Sequence, residues 1–409
     1  MKRRELIKKS ILGLSATAVA LSGCNKKSEK VACKNNEDEL NIIPKQTAQY
    51  EFSCPLPFNF KTIDEIVELN KGLKKSKVTT FYNNAPNQDF NNWISISRAK
   101  NDKFKTYDQF GEFVKYAIKK GFNVTYLMNS PKPFSPKDSQ TFEKEFNFLL
   151  DYIYQIGIKD IKIANPQVAE LITEKYGDKI NLHASTALEY SKISQYEYLF
   201  NNYPNFTLID LPNDENQNFK FLKELKNKFP KTKIELMVNE ACIKFCPSRH
   251  NCISESDFLD IACNKLRDDL GWLHYHLKTG MIYPWNLEYY SALGINNFKF
   301  ISSAGKENAR SNYHDITALK SYLECIENGI EFKSSNFFFE MFDKIGMASH
   351  YNDPETNNIS LTELKSLLPD IRYFIKHGSQ CQYKCNNGCN YCDECAKKIE
   401  QRIVYQTES

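Results

Sequence analysis

The sequence lacks most of the landmarks that announce a known chemistry. It contains no HExxH and no GxSxG, so neither the zinc-peptidase helix nor the serine elbow is present. Glycine contributes 15 of 409 residues, and none of the glycine-containing turns builds a nucleotide, haem or flavin loop. The apolar stretch from Ile11 to Leu21 is too short to cross a bilayer comfortably. A charge excess is missing as well. The whole chain is formally +4, and residues 1–23 hold five basic residues and one acid, which leaves the remainder neutral. That balance argues against a nucleic-acid binder, which needs a basic face to neutralise phosphates.

What is present begins with MKRRELIKKSILGLSATAVALSGC, a basic head followed by a short apolar stretch, which reads as a signal peptide over residues 1–23. Arg3 and Arg4, followed by Glu5, Leu6, Ile7 and Lys8, resemble a twin-arginine export signal, and Leu21 to Cys24 resemble a bacterial lipobox. The expectation is a lipoprotein on the periplasmic face, anchored to the membrane through Cys24; an ordinary secretory signal is the alternative. Residues 24–49 are polar and unpatterned and read as a tether.

From residue 50 short apolar or β-branched runs alternate with amphipathic helical stretches. Candidate strands lie at 78–84, 123–129, 160–166, 180–186, 206–212, 233–240 and 297–303. Strand and helix alternating this often imply a parallel α/β sheet, and the count predicts a (β/α)8-type, TIM-like barrel over 50–310, with a helical, cysteine-rich extension over 311–409. A doubly wound open sheet is the alternative.

In such a barrel the site lies at the C-terminal ends of the strands. The residues expected there are Asn83, Asn129, Asn165, His183, Ser185, Asp210, Asn239, Glu240, Ser302 and Ser303. Most read as polar residues that hydrogen-bond βα turns. Glu240 and His183 are the acid–base candidates. Cys246 and His250, four apart, would meet on a helix as a local thiol–imidazole pair.

Thirteen cysteines are distributed unevenly. Five fall in QCQYKCNNGCNYCDEC: Cys381, Cys385, Cys389, Cys392 and Cys395. Thiols packed this tightly in a polar segment can converge on one centre, zinc or an iron–sulfur cluster, and the spacing does not separate the two. Cys385, Cys389, Cys392 and Cys395 are the expected ligands. Disulfides are the alternative in an exported protein, although neighbours this close make strained loops. Cys385, Cys389 and Cys392 also match the CxxxCxxC of radical S-adenosylmethionine enzymes, but here the barrel precedes the motif. A second group, Cys242, Cys246 and Cys252, follows the strand at 233–240 directly. The two groups could share one cluster or form two separate sites. Cys325, on a helical run, reads as core.

The strand KIELMVNEAC followed by FCPSRHNC resembles the signature region of peptidase family U-32, the collagenase-like peptidases. IKIANPQVAELITEKYGDKINLHAST, MIYPWNLEYYSALGINNFKF and the cysteine-rich tail agree with the family in the same order, so the resemblance spans roughly residues 75–400. It implies that Cys242, Cys246 and Cys252 hold a [4Fe-4S] cluster. The family takes its name from peptidase activity, while some relatives act as iron–sulfur proteins in oxygen-independent hydroxylation. Where many members carry Gly-Arg after the last strand, this chain has Ser302 and Ser303, which removes a cation from the expected substrate pocket. The expectation is therefore an exported U-32-type iron–sulfur protein acting on a small molecule or peptide, with a peptidase and a non-catalytic protein serving an electron-transfer partner as alternatives.

Overall fold

The structure is a computed structural model that describes residues 40–46, 49–84, 104, 106–132, 139–240, 242–250, 269–301, 316–330, 360–378, 381 and 389–407. Eight parallel strands close into a barrel in sequence order. They are β1 (Tyr50–Pro55), β2 (Ser76–Asn83), β3 (Asn123–Met128), β4 (Asp160–Ile163), β5 (Asn181–Ala184), β6 (Phe206–Leu211), β7 (Lys233–Met237) and β8 (Asn297–Lys299). Closure is made where Glu51, Phe52 and Ser53 register with Asn297, Phe298 and Lys299, which rules out the open sheet. The strand that the sequence reading left unassigned is β1. Its Tyr50, Phe52 and Cys54 alternate with Glu51 and Ser53, but it leaves the polar segment with no β-branched residue and no helix before it.

Helices α1 (Phe60–Gly72), α2 (Tyr107–Lys119), α3 (Ser139–Gln155), α4 (Pro166–Tyr176), α5 (Ile193–Asn202) and α6 (Phe219–Lys228) connect consecutive strands from β1 to β7. The shorter α7 (Trp272–Leu277) and α8 (Leu287–Ser291) lie between β7 and β8. Helix α2 shows how such an element is specified. Thr106 caps its start by accepting from the Gln109 amide, and Phe110, Phe113, Val114 and Ala117 recur at helical spacing to form its buried stripe. The outer faces of the strands supply the matching surface: Ile161, Ile163, Leu182, Ile209, Ile234 and Phe298 are all fully buried or nearly so.

After β8 the chain continues as α9 (Thr317–Asn328), α10 (Leu361–Leu367), α11 (Ile371–His377) and α12 (Tyr391–Thr407). Helix α9 returns to the start of β2, where the Glu327 carboxylate accepts from the amides of Lys74, Lys75 and Ser76 and from the Ser76 hydroxyl. Cys325 on that helix is buried core, as its pattern suggested. Among the described residues, no helix is long and apolar enough to cross a membrane.

Candidate functional site

The interior of a parallel barrel is usually filled with branched apolar side chains. This one is filled with charge. Lys162 on β4 places its Nζ 2.6 Å from Asp210 Oδ2 on β6 and 2.6 Å from Glu235 Oε2 on β7. Lys299 on β8 lies 2.9 Å from the same Asp210 oxygen, and the Ser53 hydroxyl donates to Glu235 Oε1 at 2.7 Å. Two ammoniums and two carboxylates are therefore compensated inside the sheet. Burial opposes ionisation of Glu235, but Lys162 and Lys299 outweigh it, and its pKa falls to about 2. The Lys162 ammonium, which burial would push down, is instead raised by Asp210 and Glu235. Lys299 goes the other way, because its desolvation and the repulsion from Lys162 prevail.

Two residues expected at the C-terminal rim belong to this interior instead. Asp210 points inward from the middle of the sheet. His183, within β5, places Nε2 3.5 Å from Asp160 Oδ1 on β4, toward the N-terminal end. The physical reason is the pleat: inward positions alternate along a strand, so a polar residue flanked by apolar neighbours faces the axis wherever it falls in the strand.

At the C-terminal end the polar residues mostly stitch turns. Asn165 caps α4 and donates to the Lys132 carbonyl at 3.0 Å, Ser185 accepts from the Ala187 amide, and Asn239 exchanges two hydrogen bonds with the Ile301 backbone. Glu240 is buried, and its Oε1 accepts from the Cys242 amide at 3.1 Å. That bond orients the start of the thiol-bearing loop.

This loop, residues 242–250, is clamped from two sides. Asn213 Nδ2 donates to the carbonyls of Cys242 and Thr279 at 2.7 and 2.8 Å, tying the β6–α6 loop to both. Asp214 accepts from the Phe245 amide at 2.6 Å and stands 3.3 Å from the Arg249 guanidinium. Phe245, directly before Cys246, has a φ of +55°, an uncommon conformation for a bulky residue that its neighbours hold in place. Lys244 donates its amide to the Lys278 carbonyl at 3.0 Å, and its Nζ reaches Gln217. Cys242 and Cys246 are half-buried on this frame. His250 is two-thirds exposed with Nδ1 3.0 Å from Glu189, and Cys246 lies in a turn before the helical residues that begin at Arg249, so the expected shared helical face is not formed.

The tail packs beside this loop. Phe374 on α11 lies under Lys244 Nζ, 5.2 Å from its ring centre. On α12, Asp393 takes Lys278 at 2.8 Å and His274 at 2.9 Å, which hold its carboxyl below the usual range against the effect of burial. The segment 274–280 thus touches both of the segments that carry the thiols. Tyr373 and Tyr391 stack with ring centres 3.7 Å apart. The Tyr373 phenol is pushed up to about 12 by burial and then by Cys389, which hydrogen-bonds it, and by Cys381 and Cys392. Burial likewise raises the Cys395 thiol. Cys381, which is outside the expected ligand set, is buried, as are Cys392 and Cys395, while Cys389 is half-buried.

Among the described residues, no three His, Cys, Asp or Glu side chains gather closely enough to hold one metal ion. The described thiols have the soft-donor chemistry that a cluster or zinc needs, but they do not complete a ligand set. Cys252 and Cys385, which the expected sets require, lie outside the described residues, as do Cys24, Arg3, Arg4, Ser302 and Ser303.

No family model matches the chain. Over 370 residues, 85% of this chain and 98% of the other, it is 22% identical to the uncharacterized protease MJ1657 of Methanocaldococcus jannaschii. Its structure aligns with that of the U32 peptidase Mk0906 over 69% of this chain and 98% of the other, at 10% identity and a TM-score of 0.41. It also aligns with D-psicose 3-epimerase over 72% and 95% of the two chains, at 10% identity and a TM-score of 0.35.

Proposed function

For a chain that resembles the U-32 peptidases, we propose an exported iron–sulfur protein whose reaction is carried out at the C-terminal end of the barrel, with redox or oxygen-independent hydroxylation chemistry. The observation that carries this reading is the linkage of the two thiol groups. Lys278 accepts from the amide of Lys244, between Cys242 and Cys246, and its own ammonium binds Asp393, next to Cys392. Loop and tail are thereby held on one surface. Cys242, Cys246 and Cys252 would hold one cluster, and Cys385, Cys389, Cys392 and Cys395 a second one or zinc; a shared centre is the other form of the same idea. A bound cluster would supply one-electron chemistry.

The chain's own residues contribute support around that centre. Glu240 fixes the Cys242 backbone, Asp214 and Arg249 fix the turn that carries Cys246, and the stacked Tyr373 and Tyr391 stand beside Cys389, Cys392 and Cys395. Export through a twin-arginine route, which accepts folded proteins, suits a preloaded centre, and Cys24 would anchor it at the membrane.

The test is anaerobic purification with iron, sulfide and zinc analysis and visible spectra. Wild type is compared with a Cys242→Ser/Cys246→Ser variant and a Cys389→Ser/Cys392→Ser variant. A brown protein that loses absorbance separately in the two variants has two sites, and loss of the same band in both means one shared cluster. A colourless preparation without iron refutes the reading.

A further inference from the structure

The described residues enclose a cavity of about 480 Å³ at the other end of the barrel, among the N-terminal residues of the strands. Its size is that of a small-molecule site. The surface is built of side chains rather than left by chance packing. At its floor lie Lys162, Glu235 and Ser53 of the interior charge network. Its wall includes His183 and Asp160, and hydroxyls and amides from Thr80, Thr125, Asn123, Asn181 and Asn297 surround the opening. Each of the eight strands presents at least one donor or acceptor to the cavity.

The signs of the charges define the occupant. Four lysines, 159, 162, 231 and 233, face three carboxylates. Every carboxylate is already engaged: Glu235 by Ser53 and Lys162, Glu51 by Lys233 at 2.7 Å and Asn297 at 2.8 Å, and Asp160 by Asn181 at 2.9 Å with His183 beyond. The surplus positive charge therefore sits at the mouth, on the exposed Lys159 and Lys231. The two exposed lysines at the mouth steer an anion inward, and a wall of hydroxyls and amides matches a ligand that is itself hydroxylated.

We propose that the N-terminal end of this barrel is a second binding site, separate from the thiol-bearing end, for a small hydroxylated anion of the sugar-acid or sugar-phosphate kind. The lysines at the mouth take the anionic group, while the threonines, asparagines and His183 take the hydroxyls. Lys162, Asp210 and Lys299 then lie between this site and the opposite end of the barrel.

The full chain is titrated calorimetrically with gluconate, glucose 6-phosphate and sorbitol. Binding of either anion without binding of sorbitol is expected, and the tighter of the two identifies the anionic group. Two lines of variants locate the site. A Lys159→Met/Lys231→Met protein, altered only at exposed positions, should bind at least about tenfold more weakly. His183→Gln should weaken both anions as well, while Lys228→Met, at a surface pair with Glu197 outside the cavity, should bind as wild type does. Equal binding of sorbitol, no binding of either anion up to about 10 mM, a weak interaction in the Kd range above ~1 mM, or undiminished binding by the double lysine variant would overturn the proposal.

Discussion

Lys162 stands between two carboxylates inside a closed barrel, so its removal costs more than its presence gains. A buried ion pair roughly balances desolvation against attraction, whereas breaking it leaves bare charge in a dry place. Lys162→Met should lower stability by about 3–5 kcal/mol, read from urea unfolding, because Asp210 and Glu235 lose their shared cation. The network also shapes the acid limb. Glu235 ionises far more readily in the folded chain than a free glutamate, whose pKa is about 4.3. Its contribution is complete above about pH 5 and is lost as pH falls toward 2, so Glu235→Gln should flatten acid unfolding in that window. Glu215, buried in the β6–α6 loop, has the opposite sign: burial raises its carboxyl to about 7 despite the hydrogen bond from Asn218. Its ionisation costs stability as pH rises from about 4 to 7, so Glu215→Gln should raise Tm at pH 8 and leave it nearly unchanged at pH 4. These residues were legible as a pattern. Ile161-Lys162-Ile163, Leu182-His183-Ala184, Ile209-Asp210-Leu211, Ile234-Glu235-Leu236 and Phe298-Lys299-Phe300 each set one polar residue between two apolar ones. In a strand that alternation assigns the polar residue to one face. Their partners were not legible, because each lies on a different strand.

Among the elements, the two thiol-bearing segments depend on close backbone approach. Gly280 has a φ of +75°, and a Cβ there would lie 2.8 Å from the Asn213 carbonyl oxygen. Gly280→Ala should therefore destabilise the clamp on Cys242 by more than about 1 kcal/mol. It should also speed amide exchange across residues 242–250 before it alters the rest of the barrel. Gly378 at the end of α11 is constrained differently. Its φ is ordinary, but an added Cβ would collide with the Gln217 carbonyl oxygen. Gly378→Ala should lift α11 and α12 from the β6–α6 loop, seen as faster proteolysis of the tail with the barrel intact. Asp393→Ala removes the charge that ties α12 to His274 and Lys278 and should loosen the same segment. Strand positions were readable from their apolar and β-branched runs, whereas a glycine required by a neighbour more than a hundred residues away was not.

At the scale of the molecule, the barrel has two chemically different ends. Cys242 and Cys246 lie just past β7 at the C-terminal end and a lysine-rimmed polar cavity at the N-terminal end, with a compensated charge network between. The sequence by itself determined the alternation of strand and helix, seven of the eight strands, the clustering of cysteines and the resemblance to the U-32 peptidases, because each is a local pattern or a spacing along the chain. Only the tertiary structure decided that the sheet closes, that β1 completes it, that His183 and Asp210 face the axis instead of the rim, and that Cys381 is buried as Cys392 and Cys395 are. The reason lies in sequence separation. Closure joins Glu51 to Asn297, and charge compensation joins Lys162 to Glu235 and Asp210 to Lys299. No local pattern encodes which of two distant polar residues will meet once the strands are laid side by side.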